Sequence, residues 1–439
     1  MLQSRRHALV IGASMSGLLA ARALSQLFER VTIIEKDLVP QGTSPRKSVP
    51  QGNHAHGLLS RGRDVIETLL PGICEELMES GALAVDYLDD MVWVNGGQPI
   101  CAGPSPITGL LLSRPMLEAH VRERVLQSRN IDFLDGTAVT ELLTSSEGRQ
   151  VFGVCCDDGE RRKTLSADLV VDASGRGSRT PEWLRRMGYQ APREELVKVG
   201  VTYTTSTFRR RPEDINGTLG AVIAASGPDW RCGAMLAQEG GRWIVSLGGY
   251  FGDRAPKDRD GFLAFAKTLP IPHFYDVLKD AEPLTPFLTY SFPASLRRHY
   301  EELKDFPESY LVVGDALCSF NPIYGQGMTV AALEAEALDR ILNAGSERFA
   351  QRFFNTAKSL IDVPWDIVVG NDLQHPRMTE RGTVRLQLIN WYLHRLKRHL
   401  PSDVAVSSSF LSVSNMQSPP SSLFRPSIVG RVVAGGLRP

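Results

Sequence analysis

Two short stretches hold residue types and spacings that could do chemistry. Near the N-terminus, "GASMSG" places Gly12, Ser14 and Gly17 where a G-x-G-x-x-G dinucleotide fingerprint has its three glycines. In that fingerprint the first glycine permits a tight turn, the second lets backbone approach a pyrophosphate, and the third lets helix and strand pack closely. Serine is the smallest side chain that could replace the middle glycine, and its hydroxyl could donate to phosphate. About 20 residues further on, Glu35, with Lys36 beside it, stands where a carboxylate can accept both ribose hydroxyls of an adenosine. These residues predict dinucleotide binding and leave FAD and NAD both open. The second stretch, "GDALCSFNPIYGQGMTVA" at residues 314–331, sets an Asp, a Pro and three glycines before a helical pattern. Taken alone, it could equally be a strand-to-helix turn that needs glycine for geometry.

The surrounding elements suit both stretches. "HALVIG" reads as a buried parallel strand, "ASMSGLLAARALSQLF" as the following helix, and "RVTIIEKD" as a second strand ending at Glu35. "ADLVVDASGRGSRTPEWL" repeats strand, small-residue turn and helix start at Thr180-Pro181. A third strand, Tyr310 to Val313, runs into Gly314-Asp315, with its helix beginning around Gly327. Between the last two the period changes to two: "VKVGVTYTTSTF" alternates Val197, Val199, Val201 and Tyr203 on one face. "CGAMLAQEGGRWIVSLGGYF" reads as two strands around Glu239-Gly240-Gly241. Tyr203, Phe208, Trp243 and Tyr250 are candidate linings for an apolar substrate, and equally candidate core.

The strand-turn-helix segments at Gly12 to Gly17, Asp172 to Ser178 and Gly314-Asp315 to Met328 resemble the three signatures of the class A flavoprotein monooxygenases, the group typified by para-hydroxybenzoate hydroxylase. The resemblance implies non-covalent FAD, NAD(P)H as electron donor, dioxygen as co-substrate, and oxygen transfer from a flavin hydroperoxide. It also implies roles within the last segment. Asp315 accepts from ribityl hydroxyls, Pro322 fixes a bend, and Gly325, Gln326, Gly327 and Met328 bring backbone and helix N–H groups to the isoalloxazine. The middle segment reads "DASGRGSR" and lacks the family's usual Asp-Gly pair, which leaves the route of electrons open, a separate flavin reductase included. "VPQGNHAHGLLSRGRDVIETLLPGICEELMESGA", residues 49–82, closely resembles a loop and helix of the actinobacterial polyene epoxidases of polyether pathways. That loop suggests Arg46 or His56 near the pyrophosphate or N5; His54 and His56 could as well simply bond loop backbone. The family has an arginine at the start of the helix "RPMLEAHVRERVL" that reaches the FAD phosphates, which here is Arg114.

The expected architecture is therefore α/β: a doubly wound, Rossmann-type FAD-binding domain (1–190 and 300–345) with an inserted antiparallel substrate sheet (191–299). A helical C-terminal extension follows (346–439), ending in an extended tail at "SVSNMQSPPSSLFRPS". The expected activity is monooxygenation of an apolar, electron-rich substrate, with alkene epoxidation in secondary metabolism first. Aromatic hydroxylation, or reduction of an isoprenoid-like substrate, is the alternative.

Composition sets limits on partners. Forty-nine basic residues balance 49 acidic ones in 439, so the electrostatic footprint of a nucleic-acid binder is missing. Six cysteines without CxxC or metal-ligand spacing indicate neither a disulfide framework nor a metal site, which fits a reduced, cytoplasmic setting. The N-terminal run has signal-peptide features, but its spaced glycines and Arg22 argue against one. No stretch offers the roughly 20 apolar residues of a membrane span. The basic, amphipathic "VRLQLINWYLHRLKRHL" allows at most a peripheral membrane contact.

Overall fold

The computed structural model describes residues 5–40, 42–46, 49–227, 229–345, 348–378 and 384–434. Short apolar runs build a wholly parallel five-stranded sheet. Its order is Tyr310–Val312, Leu169–Asp172, His7–Ile11, Arg30–Ile34 and Ile131–Leu134. Leu9, Val10, Val31, Ile33, Val170 and Leu311 have no accessible surface, as expected of strands covered on both faces. The helices Met15–Ser25 and Gly327–Asn343 pack on each other beside this sheet.

A second sheet of eight strands is antiparallel except where Gly220–Ile223 runs parallel to Met91–Asn95. Its long members are Arg193–Arg209, Arg231–Gln238, Arg242–Gly249 and Leu288–His299. The hairpin turns through Glu239-Gly240-Gly241, with both glycines in the left-handed region at φ 72° and 65°. The even alternation read from Val197 to Tyr203 is interrupted. The register shifts between Lys198 and Val201, with Gly200 at φ 54°. Beyond that bulge every residue from Val201 to Ser206 is buried, because both faces of the sheet are covered.

The two faces feed two cores. Val201, Tyr203 and Tyr250 join the core of the parallel sheet. Phe208 and Trp243 face the other way, toward the helices Arg259–Ala266 and His273–Leu278. Those two aromatics therefore serve as structural core on the far side of the sheet.

C-terminal segments complete the second core. The helix Phe349–Asp372 leads to Val384–Lys397, whose residues 384–388, Leu386 among them, have side chains outside the described set. The segment expected as an extended tail, residues 412–427, holds a short turn at Pro420–Phe424 and only at its ends enters α-helices, Pro426–Ala434 after it and Val404–Ser414 before it. Serine and valine give the latter weak intrinsic helix preference. Asp403 starts it by accepting from the backbone N–H groups of Ala405 and Val406, and burial of Val406, Leu411, Val413, Ile428 and Val432 holds it. Asn415, at its end, in turn accepts from the N–H of Ser60 at 3.2 Å and so caps the helix Ser60–Leu69. Among the described residues no helix is long and apolar enough to cross a membrane.

Candidate cofactor and substrate site

The fingerprint turn is as close-packed as its glycines require. Gly12 sits at φ 101°, and a Cβ there would lie 2.6 Å from the Ala173 carbonyl oxygen; a Cβ on Gly17 would lie 1.9 Å from that of Gly12. Ser14 ends the turn, at the N-cap of Met15–Ser25. Its hydroxyl does not cap the helix, and no acid occupies the first turn, so the terminal N–H groups stay available to an anion.

Glu35 closes the second strand and accepts from the Ala13 N–H at 2.8 Å. Arg46 reaches the same carboxylate at 3.1 Å and Glu118 at 2.7 Å. Arg114 bridges Glu118 at 3.2 Å and the Ser14 hydroxyl at 3.1 Å. Ser113 caps the Arg114 helix by accepting from Met116, and Pro115 suits its first turn. Both carboxylates and both guanidinium groups are buried, yet Arg46 Nη2 and Arg114 Nε are buried without a hydrogen-bond partner. A cradle lined by leftover cationic donors, free helix N–H groups and a strand-end acid fits an adenosine diphosphate moiety. Lys36 is exposed and pairs with no described residue.

The second turn begins where its strand meets the fingerprint helix. Gly314, at φ 66°, has Ser16 Oγ where a Cβ would need to be, 2.4 Å away. Its N–H donates to Glu334 Oε2 at 2.6 Å; burial pushes that carboxyl up to about 8. Asp315 next to it remains accessible although protein surrounds it. Burial raises its pKa, opposed by the charges of Arg114 and Arg176. A carboxyl in such a place awaits donors, which polyol hydroxyls would supply. Asn321 accepts from Ile323, Pro322 starts a helical turn, and Gly325 closes it at φ 68° against the Gly57 carbonyl. Gln326 Oε1 is buried without a partner, and Gly327–Asn343 begins with no side-chain cap and no acid. The residues present fit a flavin at this turn and a dinucleotide tail at the fingerprint turn.

The loop at residues 49–59 crosses between this turn and the antiparallel sheet. The structure separates its two histidines. His56 Nδ1 bonds the His54 carbonyl at 3.0 Å, and burial with Arg114 nearby holds the ring down to about 3. His54 points into the sheet, where Nδ1 meets Thr205 Oγ1 at 2.7 Å and the ring touches those of Tyr203 and Tyr290. Arg61 and Arg63 turn outward to Glu336 and Asp64. The turn "DASGRGSR" spends its acid locally: Asp172 accepts from the Ser174 N–H and from the Ser178 and Thr180 hydroxyls. Arg176, in that turn, lies 5.1 Å over the Phe292 ring with Nη1 buried and unpartnered.

One constellation was not foreseen. Asp372, the last residue of Phe349–Asp372, accepts from the hydroxyls of Tyr250 at 2.6 Å and Tyr324 at 2.9 Å and from the Asn321 amide at 3.2 Å. Burial raises its carboxyl to about 6, against those three donors. Tyr324 and Asn321 flank Pro322, so this network ties the cofactor turn to the C-terminal extension. Glu118 was also missed. Its only sequence signal is the spacing of four from Arg114, which places both on one helical face.

Comparison with known proteins agrees with this geometry. The profile of FAD dependent oxidoreductases matches residues 8–180. Protein Rv3254 of Mycobacterium tuberculosis is 36% identical over 349 residues, 77% of this chain and 73% of that protein. Among solved structures, a flavoprotein/dehydrogenase from Cytophaga hutchinsonii superposes with a TM-score of 0.69 at 15% identity, covering 99% of this chain and 100% of the other. The p-nitrophenol 4-monooxygenase PnpA of Pseudomonas putida gives 0.66 at 15% identity, covering 95% and 99%. At such identities the structures speak for the fold alone; the matching profile, with the 36% identical relative, places this chain in the family of FAD-dependent oxidoreductases.

Proposed function

We propose that the protein is a monooxygenase that transfers one oxygen atom from dioxygen to an apolar, electron-rich substrate, with alkene epoxidation as its reaction. Bound FAD, reduced at the expense of NAD(P)H directly or through a separate reductase, supplies the electrons that activate dioxygen. The chain's own residues do the rest. Gly12, Ser14, Glu35, Arg46 and Arg114 anchor the dinucleotide. Asp315 and the turn from Pro322 to Met328 orient the flavin end. The buried face of the antiparallel sheet excludes water and aims the substrate.

The observation that carries the choice of alkene is that, among the described residues, neither histidine of the loop is a base tuned to neutral pH, while Asp372, raised to about 6, is already engaged by Tyr250, Tyr324 and Asn321. His54 and His56 are held at about 4 and about 3, so each is a weak proton acceptor at neutral pH. Burial raises Tyr203 and Tyr290, which keeps both protonated. Hydroxylating a phenol profits from a base, whereas epoxidation needs none. The polyene-epoxidase-like segment at residues 49–82 adds to this reading. Incubation of FAD-loaded enzyme with NAD(P)H, a flavin reductase and ¹⁸O₂ should place one labelled atom in an epoxide when polyenes and phenols are offered together. Label only in a phenol sinks epoxidation, and turnover without dioxygen sinks oxygen transfer altogether.

A further inference from the structure

We propose that His54, Tyr203 and Tyr290 form a recognition site for a neutral oxygen acceptor, such as a carbonyl, on an otherwise apolar unsaturated substrate, with His54 Nε2–H as its leading donor. The proposal rests on the reading above only for the identity of the pocket as the substrate's.

The three rings form a closed triangle. Their centroids stand 5.1 Å apart for His54 and Tyr203, 5.6 Å for His54 and Tyr290, and 5.6 Å for the two tyrosines. His54 is 3% exposed and Tyr203 7%. His54 Nε2 and both tyrosine hydroxyls make no hydrogen bond to any described residue. None of these three tips is sealed from solvent, so each stays reachable by a ligand's polar group while the rings around them are largely buried. None of the three belongs to the glycine turns or the arginines that fit the dinucleotide, and they project from the sheet and its crossing loop.

Hydrogen counting sets the imidazole tautomer. Ser246 Oγ accepts from the Ala55 N–H at 3.1 Å and lies 2.6 Å from Thr205 Oγ1, which lies 2.7 Å from His54 Nδ1. If Ser246 donates to Thr205 and Thr205 donates to Nδ1, only the Nε2–H is left without a partner. The reverse direction leaves both the Ser246 proton and the Nε2 lone pair without one. His54 therefore accepts at Nδ1 and presents Nε2–H. Burial keeps the ring neutral and both tyrosines protonated, and the two charges that act on Tyr290, Asp315 and Arg176, oppose each other, so the site offers donors without net charge. Such a set favours a neutral acceptor over a carboxylate, which would be desolvated with no countercharge from these three groups.

The test uses FAD-loaded protein and two probes, β-ionone and the hydrocarbon in which its carbonyl oxygen is replaced by methylene, with binding followed by equilibrium dialysis. The ketone should bind roughly tenfold more tightly. H54F should remove that preference, and H54Q, which keeps a donor near the Nε2 position, should restore part of it, both with wild-type FAD content. Nitrogen-15 spectra should show His54 as the neutral Nε2–H tautomer below the ordinary histidine midpoint of 6.5. Equal or undetectable binding of both probes, a preference that survives H54F, or an Nδ1–H tautomer overturns the proposal. Dialysis needs no turnover, so failure to incorporate labelled oxygen would defeat the proposed reaction and leave this site standing.

Discussion

Glu118 holds two guanidinium groups at once, Arg46 on one oxygen and Arg114 on the other, and all three are buried. Breaking such a set by removing one member would strand a charge, so these residues are poor probes of cofactor binding. Asp315 is the better one. Its carboxyl has accessible surface and is burdened by burial, so Asp315→Ala should leave the apoprotein's thermal midpoint unchanged or raised. FAD affinity should fall by about 1–3 kcal/mol, the penalty for unpaired buried hydroxyls, as read by flavin fluorescence titration. A parallel loss of apoprotein stability would show that the carboxyl is structural. Gly12, Gly17, Gly314 and Asp315 were all legible from the sequence because glycine at a strand end has few other uses, and the structure shows a neighbouring atom where each Cβ would be at the three glycines. The division of labour between His54 and His56 was not. Two residues apart in a loop, they look alike until the sheet that binds one of them is in place.

At the scale of elements, the end of the helix Phe349–Asp372 matters most, because it plants a carboxyl beside the cofactor turn. Asp372 has its pKa raised from 3.8 to about 6, so the fold prefers it protonated. The folded state then binds more protons than the unfolded one between these values, and stability falls as pH rises through that window and levels off above it. Asp372→Asn should remove this slope and stabilise the protein near neutral pH by about 1–3 kcal/mol. His54 slopes the opposite way, since its lowered pKa makes stability fall as pH drops from 6.5 toward 4. The comparison is therefore the difference between wild type and variant in chemical denaturation at several pH values. An unchanged slope would mean that Asp372 is ionised throughout. This network escaped the sequence reading because its members lie far apart in the chain, Asp372 being 122 positions from Tyr250 and 51 from Asn321. No periodicity announces such a pairing. The helix Val404–Ser414 shows a different limit: a Ser- and Val-rich stretch has weak helix propensity, and its packing against the second core holds it helical.

Across the whole molecule, the antiparallel sheet is the partition between two cores; the helix Phe349–Asp372 joins the core of the parallel sheet, and the C-terminal segments after it close the other. Besides the Asp372 network, they reach the cofactor side through Asn415, which caps a helix 355 positions earlier. That helix, Ser60–Leu69, presses Gly62 against Thr329 on the cofactor helix, where a Cβ would lie 2.5 Å from the threonine hydroxyl. Asn415→Ala should cost about 0.5–2 kcal/mol in thermal unfolding, the usual worth of a cap, and should hasten FAD release. Destabilisation with unaltered release would confine the cap's role to folding.

The parallel sheet itself takes its edge strand, Tyr310–Val312, from well past the middle of the chain, and that strand pairs with Leu169–Asp172. On the ribosome, then, the edge strand Leu169–Asp172 stays open while five of the eight strands of the antiparallel sheet are made. Synthesis at about 5–20 residues per second stretches that wait to many seconds, during which an unpaired apolar strand is available to other chains. Slow translation before residue 310 should thus favour aggregation, and chaperones that shield strand edges should raise the yield of soluble protein more than added cofactor does.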